Sequence, residues 1–328
     1  MKLQKMIVTN KDLSKFNSLK IAVKAKYYTE CKTDSDIKEA FHFIKKNKIK
    51  FLILGEGTNV VFTKCYEGLV IKNLFKKEKK IYKNIVKVSS GYNWDRFVTF
   101  CIKNSLYGLE NLSGIPGTVG AGPIQNIGAY GEEISNYIEH IEVFNFKTGN
   151  VEILNNKNCN FEYRNSLFKK NKHYFIKNIF FKLKDKFIAN NSYQDLQDYR
   201  FNEASEIRKS ILKIRNQKLE SYSTKPNVGS FFKNPLIKKK DLKKLLSEEP
   251  ELKFYIHNSL IKISAAWLIE RCDLKGMQLN KARVSKKHSL VLINEDKSPS
   301  SILKLKNKIK AIVLNKYNFR LEEEPTII

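Results

Sequence analysis

The chain's most informative chemical feature is a glycine-rich stretch from Gly108 to Gly131, which holds half of its 14 glycines. Glycine adopts positive φ readily and lets the backbone press against a ligand. Successive turn amides can also point at phosphate oxygens. Ile115, Val119 and Ile124 lie among these glycines, and a solvated loop does not need aliphatic residues at that density. The stretch therefore favours a loop wrapped around a large, flat, phosphate-bearing cofactor over a turn-rich surface loop.

Three shorter motifs hold residues that could move a proton or bind an anion. Ser230 precedes two phenylalanines outside any G-x-S-x-G elbow, so it suits a proton donor better than an acyl nucleophile; the alternative is an ordinary turn before a strand. Arg164 stands among aromatic residues, where a guanidinium could pack on a ring or meet a carboxylate or a developing negative charge. Taken alone, Glu322–Glu324 is a solvated acidic run and His288 a structural histidine.

A predicted strand at 50–54 ends in a turn with Gly55 and Gly57, which suggests a dinucleotide-binding loop. The fingerprint of that loop requires a third small residue where Val60 stands, and no helix-length apolar pattern follows. The sequence has no Walker A motif either. A nucleotide cofactor must therefore be held by a fold other than the Rossmann or P-loop fold.

The elements that must position these residues follow from apolar spacing and turn signals. Thr33 or Ser35 can cap a helix whose apolar residues recur at helical spacing from Ile37 to Ile44. Ser298 is predicted as the N-cap of the last helix, with Pro299 in its first turn. The other predicted elements are helices at 93–106, 203–218, 240–247 and 265–272, strands at 50–54, 60–62, 68–71 and 289–294, and strand-like alternation over 136–185.

Length and composition indicate a globular protein of two or three domains, with 328 residues of which 42% are hydrophobic. No apolar run approaches the roughly 18 residues of a membrane span, and the basic N-terminal segment lacks the apolar region of a signal peptide. Five widely spaced cysteines without a C-x-x-C motif argue against disulfides and structural zinc and favour a reducing cytosol. The histidines are scattered, so we expect no protein-bound metal.

The net charge of +28 has three explanations. It could mark nucleic-acid binding, but the lysines are spread along nearly the whole chain, and the aromatic residues form no stacking platform beside a basic stripe. Lysine, asparagine and isoleucine, which all have A/T-rich codons, dominate together, so a biased genome composition is a sufficient cause. Attraction of an anionic small-molecule substrate is the third explanation.

Six motifs occur in order along the chain: Leu-Gly-Glu-Gly-Thr-Asn at 54–59, Ile-Pro-Gly-Thr-Val-Gly at 115–120, Pro-Ile-Gln-Asn-Ile-Gly-Ala-Tyr-Gly at 123–131, Tyr-Arg-Asn-Ser at 163–166, Arg-x-x-Lys at 215–218 and Gly-Ser-Phe-Phe-Lys-Asn-Pro at 229–235. Together they resemble the family of UDP-N-acetylenolpyruvoylglucosamine reductases, or UDP-N-acetylmuramate dehydrogenases, of bacterial cell-wall precursor synthesis. The resemblance covers nearly the whole chain, from Asn17 to Glu324. An insertion at 192–196 resembles the longer subgroup, in which a tyrosine loop folds over bound substrate.

The resemblance implies an α+β fold in three parts. Residues 1–72 and 73–219 would be the two subdomains of an FAD-binding domain of the vanillyl-alcohol-oxidase type, with the tyrosine loop near 188–200. Residues 220–328 would be an α/β domain that closes over the substrate. Such a fold would explain why the dinucleotide fingerprint fails. The resemblance places Gly55, Gly57, Thr58 and Asn59 at the FAD pyrophosphate and Gly117, Val119, Gly120, Gln125, Asn126 and Gly128 around the rest of the flavin.

The implied reaction is the NADPH-dependent reduction of the enolpyruvyl ether of UDP-N-acetylglucosamine. NADPH reduces FAD, a hydride passes from flavin N5 to the vinyl carbon C3, and C2 takes a proton. The negative charge that develops needs cationic or donor groups, and C2 needs an acid. The resemblance gives the proton to Ser230 and the charge stabilisation to Arg164 and Glu324, the latter best in its protonated form. It gives substrate binding to Tyr193, Lys218, Asn234 and His288.

The sequence departs from the family's pattern in two places. Glu323 stands where the usual Leu-Glu-Pro-Glu motif has proline, and Pro325 follows instead. A shift in register would move the role of Glu324 to Glu322. Glu220 also stands where proline is common, and the segment 225–227 is unusual.

Two other functions stay open at this point. A flavin oxidase of the same cofactor fold would use oxygen and lack reduction by NADPH, although the motifs at Ser230 and Lys218 argue against it. A basic nucleic-acid-binding protein would hold no flavin. The reductase interpretation predicts a cytoplasmic monomer that acts on a small-molecule substrate, with neither nucleic acid nor membrane as partner.

Overall fold

A computed structural model describes residues 7–75 and 79–328. The α-helices in these residues are α1 Asp34–Asn47, α2 Trp94–Lys103, α3 Leu167–Lys170, α4 Ala204–Lys218, α5 Lys239–Glu248, α6 Ala265–Glu270 and α7 Ser300–Tyr317. The β-strands are β1 Val8–Asp12, β2 Lys24–Cys31, β3 Phe51–Leu54, β4 Val60–Val61, β5 Tyr66–Asn73, β6 Lys79–Tyr82, β7 Ile85–Ser89, β8 Gly128–Ala129, β9 Glu132–Glu133, β10 Ile138–Asn145, β11 Val151–Asn155, β12 Tyr174–Lys182, β13 Leu236–Lys238, β14 Phe254–His257, β15 Leu260–Ile263, β16 Gln278–Leu279, β17 Ala282–Val284, β18 Leu292–Asn294 and β19 Thr326–Ile327.

The chain separates into two compact units. The first contains the residues up to Lys11, Lys24–Gly57 and Tyr66–Arg215. The second contains Asp12–Val23, Thr58–Cys65 and Asn216–Ile328. The three-part division predicted above concerns cofactor and substrate binding and stays a prediction.

The first sheet of the first unit has the strand order β1-β2-β5-β3, with β2 and β3 both parallel to β5. Helix α1 connects β2 to β3 and begins at a capping box. The Thr33 hydroxyl accepts from Asp36 N, and the Asp36 carboxylate accepts from Thr33 N. Thr33, rather than Ser35, is therefore the N-cap. The apolar face of α1 packs into a core with β2, β5, β10 and β12.

The second sheet of the first unit is antiparallel, in the order β11-β10-β12-β7-β6. The strands predicted over 136–185 are found as β10, β11 and β12, with α3 between the last two. Helix α2 packs on this sheet through Trp94 and Phe97, whose rings lie 6.3 and 5.1 Å from that of Phe181. Trp94 also fixes the glycine-rich stretch, because its indole Nε1 donates to Leu112 O at 2.8 Å and its backbone N to Gly117 O at 3.0 Å.

The second unit contains two three-stranded antiparallel sheets, β13-β15-β14 and β16-β17-β18. It also contains a parallel pair of β4 with β19. Thr326 N donates to Asn59 O at 3.0 Å within this pair. Helix α7 buries an apolar stripe at helical spacing that includes Ile302, Leu305 and Ile309. The C-terminal strand is thus tied to a segment near residue 60.

Several predicted element ends differ from the structure, among them the starts of the last helix and of the strand at 289–294. Helix α7 begins at Ser300 with Pro299 at its N-cap position, one residue later than predicted. The Ser298 hydroxyl still accepts from Ser300 N at 3.2 Å. The predicted strand at 289–294 is shorter, because Ser285 N donates to Val291 O at 2.8 Å and closes a turn before β18 begins.

Among the described residues, no helix combines the length and apolar character needed to cross a membrane. In the same residues, no group of three His, Cys, Asp or Glu side chains is placed to hold a metal ion. None of the five cysteines, all of which lie in the described residues, forms a disulfide.

Candidate functional site

The glycine-rich stretch contains a 3-10 helix, Val119–Gln125, that packs closely against Ser90. Val119 N donates to Tyr92 O and Gly120 N to Ser90 O, both at 2.8 Å. A Cβ placed on Gly120 would lie 2.5 Å from the Cβ of Ser90. Glycine is therefore required here by backbone packing. These two amides donate within the protein, so contacts of Val119 and Gly120 with FAD would use other atoms.

We expect Gly120→Ala to destabilise the protein by about 1–3 kcal/mol, the usual cost of forcing extra atoms into a packed site. Ser90 is fully buried, and its hydroxyl accepts from the Asn73 side chain at 2.9 Å, so it has no room to move aside. Urea unfolding of the cofactor-free protein measures the change. Ala121→Ser, at an exposed neighbour, is the control. Equal free energies of unfolding for the two variants would contradict the packing argument.

The predicted pyrophosphate turn follows β3 and approaches the start of the same 3-10 helix. A Cβ on Gly55 would lie 3.0 Å from Thr118 Oγ1, and Gly57 has a φ of +71°. Gly55 and Gly57 belong to the first unit, and the predicted partners Thr58 and Asn59 belong to the second. Two glycines beside a threonine hydroxyl fit a diphosphate, which needs close approach of the backbone.

Asn126 and Gly128, also predicted to contact FAD, have different surroundings. Asn126 is buried and has a φ of +47°. Its Nδ2 donates to Glu133 Oε2 at 2.7 Å, and its Oδ1 accepts from Ser135 N at 3.1 Å. Gly128 O accepts from the Arg164 guanidinium at 2.7 Å. Asn126 therefore holds neighbouring segments together, whereas Gly128 connects the glycine-rich stretch to the predicted catalytic arginine.

Arg164 occupies a tight turn that fixes its guanidinium. The backbone groups of Glu162 and Asn165 exchange two hydrogen bonds of 3.1 Å, and Arg164 adopts a left-handed φ of +53°. That conformation costs a residue other than glycine about 1 kcal/mol. The guanidinium lies 5.3 Å from the centroid of the Tyr163 ring. The ring contact considered from the sequence is thereby confirmed, and the anion-binding role stays a prediction.

Tyr193 lies in the predicted tyrosine loop and contacts Tyr130 edge to face, with ring centroids 5.3 Å apart. Tyr130 is also the partner of Arg215. Burial lowers the pKa of the Arg215 guanidinium, and the interaction with the Tyr130 hydroxyl opposes that shift. A Cβ on Gly114 would lie 3.1 Å from Arg215 Nε. The sequence alone indicates no role for Arg215 itself. The Arg-x-x-Lys motif at 215–218 is the only signal in the sequence that draws attention to this residue.

Ser230 begins an extended segment of the second unit that is held on both sides. Ser230 itself forms an antiparallel bridge with Val291. Phe231 N donates to Leu290 O at 2.7 Å, and Phe231 O accepts from Glu324 N at 2.9 Å. The structure therefore brings Ser230 and Glu324, which are far apart in the sequence, into hydrogen-bonded neighbouring segments.

The three C-terminal glutamates differ in their partners. Glu322 is 74% exposed and pairs with Lys233 Nζ at 3.0 Å. Glu323 pairs with two lysines of α7 at 3.1 and 2.9 Å. Burial alone would raise the pKa of the Glu323 carboxyl, but the lysine hydrogen bonds outweigh burial and lower it. The backbone of all three glutamates lies beside the Ser230 segment, since Lys233 N donates to Glu322 O and Glu324 N to Phe231 O, both at 2.9 Å, and Phe232 bridges to Glu323. The choice of Glu324 as the functional glutamate therefore stays a prediction.

The other predicted substrate ligands of the second unit lie at ends of elements and in turns. Asn234 Oδ1 accepts from Ala265 N at 3.0 Å at the start of α6. His288 Nδ1 accepts from Leu290 N at 3.2 Å, so this nitrogen carries no proton in that arrangement. Lys218 is exposed and is the last residue of α4. Backbone groups thus fix Asn234 and His288, whereas the helix end positions Lys218.

Similarity to curated proteins decides the family. The chain is 38% identical over 327 residues to the UDP-N-acetylenolpyruvoylglucosamine reductase of Buchnera aphidicola subsp. Baizongia pistaciae (strain Bp), with 96% of this chain and 98% of that protein covered. The chain belongs to the UDP-N-acetylenolpyruvoylglucosamine reductase family. It is also 34% identical over 329 residues to the reductase of Neisseria gonorrhoeae (strain ATCC 700825 / FA 1090), with 96% and 95% covered. The family predicted from the motifs is confirmed.

Family models and a solved structure agree with this assignment. An FAD binding domain model matches residues 25–155, and the model of the reductase C-terminal domain matches residues 217–328. The crystal structure of UDP-N-acetylenolpyruvylglucosamine reductase from Thermus caldophilus has a TM-score of 0.69 at 21% identity, covering 98% of this chain and 97% of that one. The α+β class and the FAD-binding domain predicted from the sequence are confirmed.

Membership of the reductase family does not by itself assign roles to single residues, nor does it test the longer subgroup. The contacts with FAD stay predictions for Gly55, Gly57, Thr58, Asn59, Gly117, Val119, Gly120, Gln125, Asn126 and Gly128. The roles toward the substrate stay predictions for Ser230, Arg164, Glu324, Tyr193, Lys218, Asn234 and His288.

Proposed function

We propose that this protein reduces UDP-N-acetylglucosamine enolpyruvate to UDP-N-acetylmuramate, with NADPH as hydride donor and FAD as bound cofactor, in peptidoglycan precursor synthesis. The observation that carries the proposal is the similarity to a curated reductase over 96% of the chain. The fold supports it in two ways. Ser230 and Glu324 lie in hydrogen-bonded segments, and the Arg164 guanidinium is fixed on Gly128 O.

The residues of the FAD binding domain fit the cofactor. Gly55 and Gly57 leave their backbone open to close approach, and Thr118 adds a hydroxyl beside Gly55. Those groups would hold the diphosphate. FAD held there would supply the hydride chemistry, from NADPH to the vinyl carbon C3 of the substrate.

Arg164 would stabilise the negative charge that develops at C2 and in the adjacent carboxylate. A planar guanidinium pairs with a carboxylate through two parallel hydrogen bonds. Gly128 O and the Tyr163 ring orient the Arg164 guanidinium in the protein alone. A charged group that is positioned in advance stabilises a transition state without reorganising during the reaction.

Ser230 would donate its hydroxyl proton to C2. Backbone pairing with Leu290, Val291 and Glu324 holds its segment. The backbone that carries the Ser230 hydroxyl is therefore fixed. A positioned acid contributes typically about 10²–10⁴-fold to a proton transfer. Serine is a weak acid, and the charge at C2 that follows hydride arrival supplies the driving force for the transfer.

Glu324→Ala is expected to slow substrate reduction by about 10²-fold, because it removes a group positioned for the developing charge. Glu322→Ala is the matched control, since it removes the same group from a 74% exposed position two residues earlier. NADPH consumption at saturating substrate gives kcat for both variants. A larger loss in Glu322→Ala than in Glu324→Ala would move the role to Glu322.

The UDP part of the substrate would be bound by Tyr193, Lys218, Asn234 and His288, with Lys218 as a point charge for the diphosphate. The contact of Tyr193 with Tyr130 supports the assignment of 188–200 to a tyrosine loop of the longer subgroup. A cytoplasmic location is part of the proposal, and five widely spaced cysteines without a C-x-x-C motif support it. We also propose that the protein is a monomer, which sedimentation of the purified protein would test. We further propose that it binds neither nucleic acid nor membrane.

The test is an anaerobic visible spectrum of the purified protein loaded with FAD. NADPH is expected to bleach the flavin absorbance, and UDP-N-acetylglucosamine enolpyruvate is expected to restore it. Recovery with oxygen but not with that substrate would replace the reductase by a flavin oxidase. Failure to bind FAD, with steeply salt-dependent binding to DNA, would replace it by a basic nucleic-acid-binding protein.

A further inference from the structure

Glu220 carries a buried carboxylate two residues after the end of α4. Its side chain is only 8% exposed. Lys225 Nζ donates to both carboxylate oxygens, at 3.1 and 3.0 Å, and Ser285 Oγ donates to Oε1 at 3.2 Å. Burial would raise the pKa of this carboxyl, but the hydrogen bonds from Lys225 and Ser285 and the charges of Lys225 and Lys287 together outweigh burial and lower it. Glu220 is therefore a charged side chain whose hydrogen bonds connect two segments of the second unit.

The first of these segments leads directly to Ser230. Asn227 is 3% exposed, and its Nδ2 donates to Lys225 O at 2.7 Å and to Glu220 O at 3.3 Å. Asn227 Oδ1 accepts from Gly229 N at 2.8 Å, which is the hydrogen bond of an Asx-turn. Gly229 has a φ of +74°, a conformation that suits glycine. The backbone that enters Ser230 is thus set by a turn anchored at Glu220 and Lys225.

The second segment lies beside Ser230 in the backbone pairing. The buried Ser285 hydroxyl, besides donating to Glu220, accepts from Lys287 N at 3.0 Å. Ser285 N donates to Val291 O at 2.8 Å, and Val291 is the residue that bridges to Ser230. One carboxylate therefore connects the turn that precedes Ser230 with the turn that carries its pairing partner.

We infer that Glu220 is a positioning residue for Ser230, acting through the Lys225–Asn227 turn and through the Ser285–Val291 turn. The inference rests on the proposed function, because it concerns the position of the Ser230 hydroxyl that donates the proton. Misplacement of a reacting group by about 1 Å can cost 10²-fold in rate. Loss of the Glu220 hydrogen bonds releases both sides of Ser230 at once. Neither Arg164 nor the FAD-binding residues take part in them, so the effect falls on substrate protonation.

The experiment compares Glu220→Ala, Glu220→Gln and a control in the FAD-loaded protein, with the two half-reactions followed separately by anaerobic stopped flow. The control, Glu295→Ala, removes an ion pair with Arg283 of 2.8 Å at the other end of the β17–β18 pair. Glu220→Ala is expected to slow the substrate-dependent return of flavin absorbance by about tenfold or more and to raise its solvent deuterium isotope effect. Bleaching by NADPH should keep its wild-type rate. Glu220→Gln keeps the hydrogen-bonding shape and should recover part of the loss, and the control should match wild type in both half-reactions.

Equal slowing of both half-reactions, or a lowered Tm with an unchanged rate of flavin recovery, would overturn the inference. If Glu220→Ala does not fold, Ser285→Ala and Lys225→Met break the two arms singly, and each should slow flavin recovery selectively. Wild-type rates in both of these variants would overturn it too. Wild-type protein that is bleached by NADPH but not restored by the substrate would instead refute the proposed function.

Discussion

Ser230→Ala is expected to slow the reduction of UDP-N-acetylglucosamine enolpyruvate by about 10²–10⁴-fold, the contribution of a positioned general acid. Reduction of the bound flavin by NADPH should keep its wild-type rate, because no proton from Ser230 is needed there. Single-turnover stopped flow separates the two steps. The buried neighbours Phe231 and Phe232 stay in place, so the change removes one hydroxyl without opening the core.

A matched serine in the same unit controls for general effects. Ser223 is exposed, and its hydroxyl shares a hydrogen bond of 2.7 Å with Ser221. Ser223→Ala should leave both half-reactions unchanged. If Ser230→Ala slowed both half-reactions equally, the hydroxyl would be a structural group, and the proton donor would have to be sought elsewhere.

Elements fixed by local signals were predictable from the sequence. Thr33 and Asp36 form their capping box within one helical turn, and helix α4 at Ala204–Lys218 lies within one residue of its predicted range. Pairings between distant segments were not. Strand β4 pairs with β19 from the other end of the chain, and β18 starts late because Ser285 bonds to Val291. Pairings between distant segments leave no periodic pattern in the local sequence.

The candidate site shows the same division. The Gly120 motif was conspicuous, but the sequence cannot separate a glycine required by a ligand from one required by Ser90. The partners of the C-terminal glutamates were equally hidden, because the lysines of α7 that pair with Glu323 are set by tertiary packing. Glu220 and the segment 225–227 differed from the family's pattern, but the sequence assigned them no role, because that role lies in hydrogen bonds to backbone and to Ser285.

Arg164→Met is expected to lower kcat/KM for the enolpyruvyl substrate by about 10²–10³-fold, the range seen when one preorganised group at a developing negative charge is lost. Arg164→Lys should recover only part of this loss. It keeps the charge and the same left-handed backbone, but an ammonium cannot present the planar fork that pairs with a carboxylate. It also cannot bond to Gly128 O at 2.7 Å and stack on Tyr163 in the same way.

The control for Arg164 is Lys170→Met, which removes one positive charge from the same segment. Lys170 is 57% exposed and pairs with Glu162 at 3.4 Å, and exposed pairs of this kind contribute little to stability. Since the chain carries a net charge of +28, a general attraction of the anionic substrate would make the two losses similar. A loss confined to Arg164→Met, with NADPH-driven flavin reduction unchanged, would assign the effect to the placement of the guanidinium. Similar losses in the two variants would reduce Arg164 to one positive charge among many.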